Sequence, residues 1–302
     1  MGNFRKAWHK YYDLYLLLLP VIAFYVIFWL WPLYGIQIAF KDYSITKGFW
    51  NSPWVGFEHF IRYFNSFYFW RTIKNTIGIN IYGLIAGFPF SIVLALMFNE
   101  LRNEKFRRIA QTISYAPSFL SVMVVVGMIT AFLSPATGFV NAMIDALGGE
   151  KINFLGEAKY FWNILVWSNI WQSAGFGTIM YTAAIASIPN TLYEAATIDG
   201  AGRIRKMWNI TLPSITYIII TLLILNLGNI FTLGFEKILM MQNSLNLEAS
   251  EVISTYVYKA GLIDARYSFT TAISVFNTVL NLIILYIANT ISRKTRGISL
   301  WS

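Results

Sequence analysis

Six stretches of the chain, each 25 to 36 residues long, contain no Asp, Glu, Lys or Arg. They lie between Asp13 and Lys41, Lys74 and Glu100, Arg108 and Asp145, Lys159 and Glu194, Lys206 and Glu236, and Arg266 and Arg293. A helix of about 20 mostly apolar residues crosses the hydrocarbon core of a bilayer, and it does so with every backbone group bonded internally. The pattern therefore predicts an all-α membrane protein with six transmembrane helices, over about 14–40, 75–98, 112–133, 161–186, 214–234 and 268–291. Composition agrees, since only 12% of the residues are charged and the mean hydropathy is +0.54, against about 25% charged in ordinary soluble domains.

An even number of spans puts both termini on one side. The segments on the side of the N-terminus hold thirteen Lys and Arg and five acidic residues, and the opposite set holds ten and nine. Nearly all of the net +9 thus falls on one side, which the positive-inside rule makes the cytoplasm. The N-terminus (1–13) and the tail (292–302) are predicted cytoplasmic, and the positive balance reports orientation, not a nucleic-acid partner. Trp8 and Trp301 fall near inner ends, and Trp29, Trp31, Trp70 and Trp162 near outer ends, as interfacial anchors do. The basic start at Arg5 and Lys6 suits a signal peptide, but the apolar run is too long and lacks a small-residue cleavage pattern, so the first span is predicted to be retained.

Several chemistries are excluded. With no cysteine there is no disulfide, thiolate metal site or cysteine nucleophile. The two histidines, His9 and His59, are predicted on opposite sides of the membrane and cannot form one site. No Gly is followed by Lys, so the chain has no phosphate-binding loop for ATP. No predicted span holds an Asp, Glu, Lys, Arg or His, which argues against proton relays, ion coupling and voltage sensing. Any driving energy must come from another subunit.

What the spans do hold is neutral and polar. Thr270, Ser274, Asn277 and Asn281 follow a spacing that puts them on one helix face; Asn226 and Asn229 lie one turn apart in the fifth span. In the fourth, Trp167 and Trp171 are spaced i, i+4, with Ser168 and Gln172 on the adjacent row and Gly175 below. Amides and hydroxyls suit the hydroxyls of an uncharged sugar, and aromatic faces suit its C–H surfaces. The set reads as a sugar path, although interhelical hydrogen bonding uses the same residue types. Gly83-x-x-x-Gly87 reads as a helix contact. Outside the membrane, Asn246 to Gly261 has the cap, spacing and stop of a short amphipathic helix, at the membrane surface or packed over the spans.

The inner segment 187–213 is the most informative. Pro189 and Asn190 start a helix that Asp199-Gly200-Ala201-Gly202 breaks; a second piece carries Arg203, Arg205 and Lys206, and Pro213 opens the next span. The result is a helix-turn-helix knob with small residues at its elbow. Glu194-Ala195-Ala196, then Gly200, then Ile210-x-Leu212-Pro213 resembles the EAA motif of permease subunits of binding-protein-dependent ABC importers, and Asp199-Gly200-Ala201 resembles its form in their carbohydrate branch. Leu18-Leu19-Pro20, Trp31-Pro32, the stretch Trp54 to Phe60 and the terminal Gly297-Ile298-Ser299-Leu300-Trp301 are similar to the oligosaccharide and polysaccharide permeases.

The resemblance implies the type I ABC importer permease fold. It also implies that Glu194, Ala195, Ala196, Asp199, Gly200 and Ala201 form a coupling helix that docks on an ATPase subunit. The implied assembly is a heterodimer with a second, homologous permease, two ATPases that hold ATP and Mg, and an external solute-binding protein that delivers a sugar; this chain needs no cofactor and is no enzyme. Two other readings remain. One is a passive pore for a small neutral solute. The other is an ABC importer of an anionic solute, for which cationic groups in the path are expected and the spans contain none.

Overall fold

The computed structural model describes the backbone from Gly2 to Trp301 and side chains from Lys10 onward. The side chains of Arg5, Lys6, Trp8 and His9 lie outside the described residues. The described chain is helical almost throughout, with a single isolated β-bridge between Lys41 and Trp54.

Among the described residues three helices are long and apolar enough to cross a membrane: the run Lys10–Phe40, Tyr68–Glu100 and Tyr267–Arg296. Two bent pairs raise the number to five if each is one span. We label the elements α1 (Gly2–Tyr25), α2 (Tyr68–Glu100), α3 (Glu104–Tyr115), α4 (Val122–Leu133), α5 (Ala158–Ala186), α6 (Asn190–Ile198), α7 (Thr216–Leu227), α8 (Phe235–Met241) and α9 (Tyr267–Arg296). Helix α5, 29 residues long, fills most of the fourth charge-free interval.

The bends have local causes. The third interval holds two pieces at 97°. Pro117 tightens the end of α3 into a 3₁₀ turn, and Ser121 restarts the chain as N-cap of α4 by accepting from Val124 N at 3.4 Å. The second bend, 58°, falls at Ile215 just after Pro213. Before both Pro32 and Pro213 the backbone widens into a π turn, with Trp31 N bonded to Val26 O and Leu212 N to Met207 O. Proline lacks an N–H and crowds the carbonyl four residues back, so the preceding turn widens to accommodate it.

The chain divides into two compact units. One runs from the N-terminus to Ser66 and includes Lys259–Phe276. In it Tyr63 is buried against Phe269 and Phe276, at ring distances of 6.3 and 6.1 Å. Lys41 is buried, donating to Phe49 O at 2.7 Å over the Trp54 ring, and His59 Nε2 meets Lys41 O at 3.1 Å. Both residues thus fasten the loop after the first helical run. No residue from Lys10 to Leu33 is buried, so the apolar surface of this run stands largely uncovered among the described residues.

The second unit comprises Phe67–Tyr258 and the chain from Asn277 onward. Its core joins Ile79 of α2, Val126 of α4, Phe161, Leu165, Val166 and Ile170 of α5, Ile238 of α8 and Val252. Gly87 lets Ile170 close onto α2, and at Gly175 a Cβ would overlap the Ser114 carbonyl. Gly83 has open space instead and faces a cleft. The stretch from Asn246 is two short helices, Leu247–Ser250 and Ile253–Tyr258, broken at Glu251. Its apolar side is buried inside the protein, with Val252 and Ile253 fully covered. Asn75 donates to Glu248 O and Glu251 O at 2.8 and 2.9 Å, and Arg71 pairs with Glu251 at 3.1 Å, which holds the stretch on α2. Trp162 also packs inward, donating to Ala249 O at 3.0 Å.

Candidate functional site

A cleft of about 710 Å³ opens between α2, α5 and the region of α7. Helical spacing brings Asn80 and Ser91 of α2, Asn169 and Ser173 of α5, and Asn226 to its wall, among a larger number of aliphatic and aromatic side chains. No charged residue lines it. Amides and hydroxyls on a mostly apolar wall form a surface that can exchange hydrogen bonds with a polar, uncharged solute without binding it tightly.

The polar residues singled out from the sequence separate into three groups. Asn226 lines the cleft while its Nδ2 donates to Leu222 O at 2.7 Å; Asn229 donates to Leu225 O at 3.0 Å. Asn277 and Asn281 converge on the end of the broken fifth segment: Asn277 donates to Phe231 O at 3.2 Å, and Asn281 accepts from Phe231 N at 3.0 Å while donating to Thr232 Oγ1. They satisfy backbone groups freed where α7 stops, a need that is acute away from water. Ser274 lies one turn before Asn277 on α9 and is not among the residues lining the cleft. Trp167 and Trp171 stand half-exposed on another flank of α5, where Trp167 Nε1 donates to Tyr82 OH at 3.0 Å and Tyr82 donates to Asn163 at 2.8 Å.

Gln172 leads to a residue that the sequence reading passed over. Its Nε2 donates to Leu120 O at 3.1 Å, which turns its Oε1 toward Lys237 Nζ at 3.4 Å. Lys237 also donates to Asn169 Oδ1 at 2.8 Å. Lys237 lies on α8, in the segment after the fifth predicted span, yet it is only 6% exposed. Burial pushes its amine down to about 8. A second pocket of about 360 Å³ at this point is lined by Gln172, Glu236 and Lys237, and shares Asn169 and Leu233 with the large cleft. The available signals were a Lys followed by the apolar run Ile-Leu-Met-Met and an Asn within the fourth interval.

At 190–206 the chain forms two helical pieces around Gly200. Gly200 takes φ +73° and closes α6: its N–H bonds Thr197 O at 3.1 Å and Ala201 N bonds Ala196 O at 2.8 Å. These two bonds are the Schellman pattern, which requires a left-handed residue at this place. Lys206 reaches back to Thr197 Oγ1 at 2.6 Å and clasps the two pieces. Glu194, Ala195, Asp199 and Gly200 are exposed, with Ala196 and Ala201 partly covered. Ile198 and Ile204 expose 87% and 71% of their surface, so the tip presents two uncovered apolar side chains among its charged ones. Its base is not: Ile210 and Leu212 pack with Tyr193 on Leu96 of α2, Ile185 of α5, Ile188 and Ile215, and Tyr193 OH meets Thr211 Oγ1 at 2.9 Å. Pro213 follows at the bend into α7. The base of the knob is thus packed on the ends of α2 and α5 and on the bend into α7.

Comparison with known proteins fits this geometry. Residues 87–297 match the family described as binding-protein-dependent transport system inner membrane component. The chain is 43% identical over 281 residues to Protein LplB of Bacillus subtilis (strain 168), covering 93% of this chain and 88% of that protein. It is 42% identical, with the same coverage, to the polygalacturonan/rhamnogalacturonan transport system permease protein YteP of the same organism. A crystal structure of a bacterial alginate ABC transporter, in complex with its alginate pentasaccharide-bound periplasmic protein, contains a chain that superposes with TM-score 0.90 at 42% identity, covering 98% of this chain and 99% of that one. The type I importer permease fold implied by the EAA motif is therefore the fold of this chain, which belongs to the family of inner membrane components of binding-protein-dependent transport systems.

Proposed function

We propose that the chain is one permease subunit of an ATP-driven importer that carries an oligosaccharide across the bacterial cytoplasmic membrane by alternating access. The observation that carries this reading is the pairing of a neutral, amide-lined cleft with an exposed knob whose base is packed on the same helices. In this reading the chain crosses the membrane six times with both termini in the cytoplasm. The 29-residue α5 has ample length for the fourth crossing, and each bent pair makes one crossing. A second, homologous permease completes the path, and an external binding protein delivers the sugar. ATP and Mg are held by two separate ATPases, which perform the hydrolysis. Relatives named for polygalacturonan and for alginate, an acidic polysaccharide, support a carbohydrate cargo.

Mechanically, Glu194, Ala195, Ala196, Asp199, Gly200 and Ala201 present the docking tip. Small residues permit close approach of the ATPase, and exposed Ile198 and Ile204 supply apolar contact area. ATPase closure moves the tip; Ile210 and Leu212 transmit that motion to α2 and α5, which wall the cleft. Co-purification with the ATPase and uptake in cells test the assignment. Glu194→Lys and Gly200→Val are expected to lose ATPase association or uptake while the protein still inserts in the membrane. Normal uptake by both, with an intact complex, would refute it.

A further inference from the structure

The large cleft is uncharged, yet a buried ammonium stands at its edge. Lys237 is more than nine-tenths buried, and among the described residues no carboxylate pairs with it. An ammonium has three N–H donors. Two go to the amide oxygens of Asn169 and Gln172, and the third has no partner among the described residues. Asn169 spends its Oδ1 on Lys237 and its Nδ2 has no described partner. One N–H of Lys237 and the amide of Asn169 thus stay available where the 360 Å³ pocket meets the large cleft.

Burying a charge among neutral dipoles is unfavourable unless something else compensates it. If the residue only fastened α8 to α5, a neutral amide, which also donates, would do so without that penalty. Glu236, the adjacent carboxylate on the pocket wall, makes no ion pair with it among the described residues. The missing counter-charge is the functional clue: the site is incomplete until an anion arrives. A carboxylate presents two oxygens and matches two adjacent N–H donors.

We propose that Lys237, with Asn169, reads a carboxylate on the passing sugar, so that the cargo is a uronate oligosaccharide. This rests on the reading of the chain as a sugar permease; a uronate cargo agrees with the polygalacturonan and alginate for which relatives are named, and what it adds is the residue that selects the acidic group. Lys237 meets each acidic residue at the edge of the neutral path, and Gln172 holds the ammonium in place through its own bond to Leu120 O. A single cation of reduced basicity favours passage over capture, because translocation needs a contact that also releases.

The test uses the full complex with its partner permease, ATPases and binding protein in proteoliposomes. Uptake of tetragalacturonate and of its uncharged methyl ester is measured with saturating binding protein. Lys237→Gln should lower tetragalacturonate uptake at least tenfold, and Lys237→Arg should restore most of it. Asn169→Asp, which supplies an internal counter-ion, should lower it as Lys237→Gln does; this second variant decides the matter if Lys237→Gln fails to assemble. Tetragalacturonate uptake at the native rate in an assembled Lys237→Gln or Asn169→Asp complex would overturn the proposal. A native complex that imports only the methyl ester would overturn it too, while leaving the sugar-permease reading intact. A complex that imports neither sugar, with or without ATP, would fail that reading itself.

Discussion

Lys237 Nζ and Asn169 Oδ1 lie 2.8 Å apart, joining a short helix outside the predicted spans to the middle of α5. The relationship has a consequence for stability. Burial lowers the amine from 10.5 to about 8, so the unfolded chain binds this proton more tightly than the folded one. Stability therefore rises as pH increases from about 8 to 10.5, and the penalty of the buried charge is fully present below 8. Lys237→Met removes this dependence. In thermal unfolding of the detergent-solubilised protein, the variant's Tm relative to native should be most favourable below pH 8 and should decline as pH rises through that window. A constant difference across the range would contradict the assignment.

Gly200 tests the coupling elbow by conformation alone. Its φ is +73° and no atom beyond the adjoining residues lies within 4 Å of where a Cβ would stand, so strain and not clash sets the effect. A left-handed L-residue costs about 1–2 kcal/mol, and Asn tolerates the region better than others. Gly200→Asn should retain most uptake, whereas the β-branched Gly200→Val should lose most of it. Equal uptake by the two variants would show that the turn's conformation does not matter.

Gly175 and Gly83 should behave oppositely. A Cβ at Gly175 meets the Ser114 backbone, so Gly175→Ala should destabilise the protein by on the order of 1–3 kcal/mol. Gly83 faces open cleft, and Gly83→Ala should leave the Tm unchanged or raise it. Thermal unfolding of both variants checks the contrast.

Asn281 and Asn229 offer a similar comparison between two amides that look alike in the sequence. Asn281 accepts from Phe231 N on another segment, while Asn229 only bonds back to Leu225 O in the helix it follows. Asn281→Leu should destabilise by about 1 kcal/mol, within the range found for interhelical bonds in membranes. Asn229→Leu should cost less than half of that in the same unfolding assay.

These residues also mark how far the sequence could be read. Absence of charge locates long apolar segments such as α2 and α9, because a desolvated charge is expensive wherever the backbone goes. It carries no record of backbone direction, so the 97° break at Pro117–Ser121 inside one uninterrupted interval is visible only in the fold. The elbow at Gly200 was legible, since a left-handed turn leaves a local mark in residue type. The partners of the amides were not. Asn277 and Asn281 share a helix face in any helix, but their shared target, Phe231, depends on where α7 stops. In the sequence Lys237 is one of the ten basic residues of the outer set, next to Glu236, and only tertiary packing returns it to Asn169 and Gln172.

The central claim is that an external ATPase drives a sugar through this chain, and one measurement addresses it most directly. The purified complex is reconstituted in proteoliposomes with loaded binding protein outside, and labelled oligosaccharide is followed into the lumen with and without internal ATP and Mg. The account predicts accumulation above the external concentration with ATP, none without it, and loss of accumulation in Glu194→Lys. Equilibration of the sugar at the same rate in ATP-free vesicles carrying this chain alone would contradict it and identify a passive pore.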